Sequence, residues 1–183
     1  MNRFVVILLV IFCFTEIGFT QKYFTRTGQV SFSSDTPLEK IDAHNKSGNC
    51  VIDFSTGKIE FAVLNKGFQF QKALMQEHFN ENYMESNKYP KSVFKGQLDN
   101  YKEVNISKNG KIKSKIIGQL TIHGVTKDIV TEANIEIVSG KISASTSFDV
   151  AVADYGISIP SLVRESIAKN VTIKVDATLA SLK

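Results

Sequence analysis

Residues 111–138, KIKSKIIGQLTIHGVTKDIVTEANIEIV, carry the pattern that decides the fold. As far as His123 most apolar side chains occupy even positions, and from Ile129 to Ile137 they occupy odd positions. A period of two is typical of strands that bury one face, and the change of phase across His123-Gly124 predicts a hairpin turn. The stretch therefore predicts two long antiparallel strands.

The same alternation extends over most of the chain. Ser139-Gly140 predicts a tight turn, and further strands are expected over residues 141–152 and 170–179. The first half is less regular, with turns predicted at residues 47–49 and 55–57. In all, about nine strand-like runs occur.

Consecutive antiparallel strands with one apolar face bury that face in a closed barrel or a sandwich. The longest runs have about 10–13 residues, which at roughly 3.3 Å per residue favours an elongated barrel over a compact sandwich. The sequence therefore predicts an all-β protein, an elongated antiparallel β-barrel of about eight strands.

One segment departs from the strand pattern. Residues 71–79, QKALMQEHF, place Leu74 with His78 and Met75 with Phe79 at a spacing of four, which predicts a short amphipathic helix. We expect this helix near one end of the barrel, with these four side chains at its mouth.

Composition and charge limit the function classes. The 183 residues are 43% hydrophobic and 22% charged, with a net charge of +4, as in an ordinary globular protein. The three histidines lack metal-ligand spacing, and no catalytic motif is present, so no metal ligand and no catalytic residue is expected. Basic and aromatic residues do not interleave, so no nucleic-acid partner is expected.

The one basic cluster has two interpretations. Lys108, Lys111, Lys113 and Lys115 lie close together in the chain, three of them on one face of a predicted strand. Lysines protect a strand from pairing with another sheet, and they also support transient contact with an anionic membrane surface. The first interpretation is favoured.

The N-terminus predicts export. Arg3 precedes an apolar run over residues 4–14, and small residues Gly18 and Thr20 precede Gln21. These are the parts of a secretory signal peptide, so residues 1–20 are predicted to be removed and residues 21–183 to form a single domain. We expect a periplasmic or secreted protein.

The predicted strands point a consistent set of side chains inward. Small and large residues alternate in this set, which fits a filled barrel or a lumen that holds an apolar guest, and the pattern does not separate the two. The candidate lumen residues are Phe32, Ile41, Phe61, Val63, Phe94, Leu98, Ile116, Gly118, Leu120, Ile122, Ile135, Ala144, Phe148, Val150, Ile173 and Val175. Cys50 shares this inward parity and is expected to be a buried thiol.

Three blocks of sequence suggest a family. The first, within residues 74–96, contains LM, HFNENYM, KYP and FKG; the second is GQLTIHGVTK at residues 118–127; the third is DYGI at residues 154–157. Together they resemble the YceI-like family of exported lipid-binding proteins over essentially the whole chain after residue 20. The resemblance implies an elongated lipocalin-like barrel that holds a polyisoprenoid or another long-chain amphiphile in its lumen, and it favours the open lumen.

The resulting prediction is binding, storage or transport of a polyisoprenoid, isoprenoid quinone or fatty-acid derivative, by a monomer or homodimer and without a required cofactor. The alternative is a ligand-free secreted barrel that serves as an interaction or stress-response module. An enzyme that acts on a lipid ranks third, and it would need a polar pair inside the lumen. Asp154, Tyr155 and His78 are the candidates for such a pair.

Overall fold

The computed structural model describes residues 21–182, so the predicted signal peptide at residues 1–20 lies outside the described residues. The described part contains nine strands and one short α-helix. Their bounds are β1 Lys22–Asp35, β2 Lys40–Asp53, β3 Lys58–Leu64, β4 Gln69–Phe70, α1 Ala73–His78, β5 Lys91–Leu98, β6 Gly110–Ile122, β7 Val125–Val138, β8 Lys141–Ala151 and β9 Asn170–Ser181.

Eight of the strands form a closed barrel. Their order is β1-β9-β8-β7-β6-β5-β3-β2, every neighbouring pair is antiparallel, and β1 also pairs with β2. The two-residue β4 adds to β2 at Ala43 and His44. The predicted all-β barrel of about eight strands with one short helix is therefore confirmed.

The two ends of the barrel differ in the length of their connections. One end, called the closed end, carries the β2–β3 turn, the β5–β6 loop at residues 99–109 and the β7–β8 turn. The other end, called the mouth, carries the β1–β2 turn, residues 65–90 between β3 and β5, the β6–β7 turn and residues 152–169 between β8 and β9. The long insertions therefore collect at the mouth.

The stretch that predicted the fold forms the longest hairpin. β6 and β7 pair from Gly110 with Ile137 to Ile122 with Val125. His123 and Gly124 link them with positive φ angles of 49° and 75°, as the two central residues of a type I′ turn require. The hairpin prediction is confirmed.

Two local predictions are wrong. Residues 47–49 do not form a turn, because β2 runs through them and opposes Gly48 to Gly28 of β1, with register shifts beside this pair. Such a bulge bends a strand without ending it, so two predicted runs belong to one strand. The helix is also shorter than residues 71–79, because a π-helical turn over Phe79–Tyr83 continues the chain from His78.

The barrel wall opens between β7 and β8. Their pairing extends from Val138 with Lys141 to Ala133 with Thr146 and stops there, although both strands continue towards the mouth. At this point the Thr146 hydroxyl donates a 2.7 Å hydrogen bond to the carbonyl oxygen of Glu132. The two strands diverge beyond it, which widens the interior near the mouth.

Substitution of Gly118 tests how closely the backbones of β5 and β6 pack at this position. A Cβ at this position would lie 2.4 Å from the carbonyl oxygen of Lys95 and 2.5 Å from the Cα of Gly96, so the backbone would have to shift. We expect Gly118→Ala to lower the free energy of unfolding by about 1–3 kcal/mol, measured by urea denaturation. Gly110→Ala is the control, because a Cβ there meets nothing within 4 Å. Equal stability of the two variants would contradict this packing.

Candidate functional site

The closed half of the barrel interior is solid. Large aliphatic side chains from four strands are almost fully buried there: Leu98, Ile135, Ile137, Ile142 and Leu179. They pack with Phe54 and with Val104 of the β5–β6 loop in one cluster. This half corresponds to the filled-barrel interpretation.

The half nearer the mouth is hollow. A cavity of about 390 Å³ occupies it, a volume within the roughly 300–1,000 Å³ typical of small-molecule sites. Its floor lies against the solid core at Cys50, Ile52, Ile116, Ala133 and Ala177. The barrel is therefore filled at one end and open inside at the other.

A pair of glycines seats the Phe61 ring against the barrel wall. Gly28 and Gly48 oppose each other on β1 and β2, and ideal Cβ atoms there would lie 3.0 Å and 2.4 Å from ring atoms of Phe61. The ring thus occupies the space that two side chains would otherwise fill.

A second pair does the same for Phe94, the cross-strand partner of Phe61. Gly96 and Gly118 oppose each other on β5 and β6, and their ideal Cβ atoms would lie 2.4 Å and 2.8 Å from Cζ of Phe94. Both phenyl rings therefore lie close to the wall, which leaves the middle of the lumen free.

The facing wall is built from small side chains. Around the barrel, β8 lies four strands from β3, and β9 lies four strands from β5. Ala144 on β8 and Ala177 on β9 are cross-strand partners. Both alanines line the cavity, as does Ala133 on β7. The lumen lies between two phenyl rings on one side and alanines on the other.

Aromatic side chains cover part of the mouth. Phe79, at the end of α1, stacks on Phe32 with ring centroids 5.4 Å apart and lies 5.1 Å from the ring of Phe70. Phe68 lies 5.6 Å from Phe79 in an edge-on arrangement. The segment after β3 thus folds back over the lumen as an apolar cover.

The loop at residues 156–169, called the cover loop, closes the mouth from the other side. Ile157, Ile159, Val163 and Ile167 line the cavity. The backbone N–H of Ala168 donates a 2.8 Å hydrogen bond to the hydroxyl of Ser34 at the end of β1. The cover loop is therefore attached to the barrel at its C-terminal end, with apolar side chains turned inward.

His123 joins three elements at the mouth. Its Nδ1 lies 3.2 Å from the carbonyl oxygen of Tyr155, and its Nε2 lies 2.7 Å from the Glu85 carboxylate. A carbonyl oxygen accepts only, so Nδ1 donates to it. The Tyr89 ring packs edge-on against the imidazole at 4.6 Å. The β6–β7 turn thus holds both the segment before β5 and the turn after β8.

Comparison with known proteins places this barrel in a family. The sequence profile of the YceI-like domain matches residues 15–179. The chain belongs to the YceI-like domain family. The resemblance to this family in the sequence motifs is therefore confirmed. A search of curated proteins gives no match.

Several solved structures share the fold at low sequence identity. A polyisoprenoid-binding domain from Saccharophagus degradans, implicated in plant cell wall breakdown, is 14% identical, with a TM-score of 0.78 over 89% of this chain and 99% of that chain. BcnA of Burkholderia cenocepacia is 16% identical, with a TM-score of 0.67 over 84% and 96%. The YceI protein of Campylobacter jejuni is 22% identical, with a TM-score of 0.58 over 77% and 84%. These likenesses support the fold alone.

Most residues predicted for the YceI-like lumen do line the cavity. They are Phe32, Ile41, Phe61, Val63, Phe94, Ile116, Leu120, Ile122, Ala144, Phe148, Val150, Ile173 and Val175. Met75, His78 and Phe79 line it at the mouth, as predicted from the helix pattern.

Four predicted positions do not line the cavity. Leu98 and Ile135 point inward but are buried in the solid half, because inward parity does not reveal how deep a residue lies. Gly118 is covered by the Phe94 ring. Leu74 is 60% exposed and turns away from the cavity, since α1 contributes Met75 to the lining instead.

Sequence reasoning missed the residues of the cover loop and of the segment before α1. Phe68 precedes the two-residue β4, and Phe70 is its second residue. Val163 and Ile167 lie outside any strand. Segments this short carry no readable period, so only their high apolar content gave a signal. Among residues 21–182, no group of His, Cys, Asp or Glu side chains comes together that could hold a metal ion, and no helix is long and apolar enough to cross a membrane.

The reactivity of Cys50 tests whether the thiol at the floor of the lumen is shielded from solvent. Burial raises the pKa of its thiol to about 12. The thiolate is the reactive form, so at about pH 8 on the order of one thiol in 10⁴ is ionised. In protein that begins at Gln21, we expect iodoacetamide to modify Cys50 only after unfolding in urea, as measured by intact mass. Rapid modification of the folded protein would contradict a buried thiol at the floor of the lumen.

Proposed function

We propose that this protein binds, stores or carries a long-chain apolar molecule, such as a polyisoprenoid, an isoprenoid quinone or a fatty-acid derivative, in its lumen. The observation that carries the proposal is the cavity of about 390 Å³ between Phe61 and Phe94 on one wall and alanines on the other. The chain of the ligand would lie in the lumen, with its head group near α1.

Burial of the ligand chain would drive binding. Each Å² of apolar surface removed from water contributes about 25 cal/mol before ordering costs. The cavity walls are formed almost entirely by aliphatic and aromatic side chains, so they offer contact along the whole chain. Membership in the YceI-like family and the polyisoprenoid-binding neighbour support this class of ligand.

The site favours binding over catalysis. Tyr155 is buried at the mouth, whereas Asp154 is exposed beside it and His78 lies on α1. No hydrogen bond joins any two of these three side chains in the described part of the chain. The polar pair that an enzyme of the lumen would need is therefore not assembled from these candidates.

Export is part of the proposal. The pattern of residues 1–20 supports cleavage before Gln21 and a periplasmic or extracellular location. The intact mass of the protein recovered from the periplasm of its producing cells is expected to correspond to residues 21–183. Retention of residues 1–20 in that protein would contradict cleavage there.

Transient contact with a membrane would use the mouth. Leu38, Leu74 and Leu162 are 67%, 60% and 95% exposed, and they belong to three different connections of the mouth. The basic cluster that begins at Lys108 lies at the closed end, where Lys111 forms a 3.2 Å ion pair with Glu136. These lysines are therefore better suited to protecting the strand surface than to delivering a ligand.

Ala144→Phe tests the lumen directly. Its phenyl ring would enter the cavity between β8 and the facing Phe61, so we expect loss of any co-purifying lipid. Ala180→Phe is the matched control, because Ala180 lies on β9 with an exposed side chain. Native mass spectrometry followed by organic extraction measures the bound ligand in each variant.

The two variants give a clear decision. The proposal requires a lipid adduct in the native protein and in Ala180→Phe, and its loss in a folded Ala144→Phe. Equal retention by a folded Ala144→Phe would place the ligand elsewhere. A native protein that stays free of ligand after incubation with isoprenoids and fatty-acid derivatives would favour the ligand-free interaction module.

A further inference from the structure

The lining of the lumen contains no cationic side chain. Of the described residues that border the cavity, none is lysine or arginine. The polar groups that do border it are hydroxyls, one amide, one thiol, one imidazole and one carboxylate. The lumen therefore offers no fixed positive charge to a carboxylate or a phosphate.

The thiol and the two phenol hydroxyls of the lining do not supply a charge either. Burial raises the pKa of the Cys50 thiol and of the Tyr83 and Tyr155 hydroxyls, so all three are neutral near neutral pH. Glu39 lies at the rim, where its Oε1 is 3.2 Å from Nζ of Lys72. The ammonium of Lys72 is therefore already paired with this carboxylate.

The inner polar groups are already engaged. The Asn65 amide donates a 2.7 Å hydrogen bond to the carbonyl oxygen of Tyr89, and its Oδ1 accepts a 2.8 Å hydrogen bond from the Ser92 hydroxyl. The Thr146 hydroxyl donates to the carbonyl oxygen of Glu132, and Ser34 accepts from Ala168. Part of the hydrogen-bonding capacity of these four groups is therefore used within the protein.

The cations around the mouth lie outside the lumen. Lys72 pairs with Glu39, Lys88 lies 3.9 Å from Glu85, and Lys66 donates a 2.6 Å hydrogen bond to Asn87. Arg164 and Lys169 belong to the cover loop and have exposed side chains, and neither borders the cavity. None of these cations lines the cavity.

We propose that the lumen selects lipids whose head group is uncharged, such as an alcohol, an amide or a quinone, over the carboxylate or diphosphate with the same chain. This inference rests on the proposed function and adds the chemistry of the head group. An ion moved from water into this lining would lose its hydration without gaining a counter-charge from the lining, which disfavours it relative to a neutral head group. A neutral carbonyl or hydroxyl needs one hydrogen bond, which the imidazole of His78 or the hydroxyl of Tyr83 at the rim can provide.

Matched pairs of lipids test the selectivity. Geranylgeraniol is compared with geranylgeranyl diphosphate, and oleamide with oleate, in competition at about pH 8 with native mass spectrometry as the readout. Because an unpaired ion is costly to bury, each neutral lipid is expected to bind at least about tenfold more tightly than its anionic partner. Equal or tighter binding of the anions would overturn the inference and leave the proposed function standing.

A lysine placed inside the mouth is expected to reverse the preference. Met75 borders the cavity, whereas Leu74 beside it is 60% exposed, so Met75→Lys and Leu74→Lys add the same charge on opposite sides of α1. We expect Met75→Lys to improve the affinity for oleate relative to oleamide by about tenfold or more, and Leu74→Lys to leave this ratio unchanged. Ile41→Lys supplies a second inward position, on β2.

The outcomes separate the inference from the proposed function. If both inward lysines leave the ratio unchanged in folded protein, the neutral lining does not set the selectivity and the inference is wrong. If neither member of either lipid pair binds the native protein, the proposed function fails, and the inference fails with it. Thermal unfolding of each variant verifies that it is folded.

Discussion

The pairing of β1 with both β2 and β9 closes the sheet, and this closure decides what the interior becomes. A closed barrel of eight strands has a fixed circumference, so the volume of its inward side chains decides whether it is filled or hollow. Isoleucine and leucine fill the closed half, whereas alanines border the floor of the cavity and two glycine pairs let the Phe61 and Phe94 rings lie against the wall. A single barrel thus contains both a stabilising core and a cavity.

The glycine pairs explain how large aromatic residues can line an open lumen. Without Cβ atoms at Gly28 and Gly48, the Phe61 ring lies close to the backbone, and Gly96 with Gly118 accommodates Phe94 in the same way. Glycine usually weakens a strand, because it loses more backbone entropy on folding than other residues do and has no side chain to pack. Here the phenyl rings supply that packing, so the wall stays dense while the lumen stays wide.

The sequence predicted the fold well because strand parity is a local property. The switch of phase at His123-Gly124 located the longest hairpin, and most of the side chains predicted to face the lumen do line the cavity. Depth along the barrel is not local, because strand tilt and register set it, so Leu98 and Ile135 were misplaced into the lumen. The cover loop was missed for a related reason, since its apolar side chains have a partner surface only once the barrel has closed.

The most direct test of a lumen that holds one apolar chain is a crystal structure with a neutral lipid amide that carries bromine at the far end of its chain. The account predicts one anomalous bromine peak at the floor of the cavity, between Cys50 on β2 and Ala177 on β9, with the amide near His78. A peak outside the barrel, or a lumen filled by repacked side chains with no bromine in it, would contradict the account.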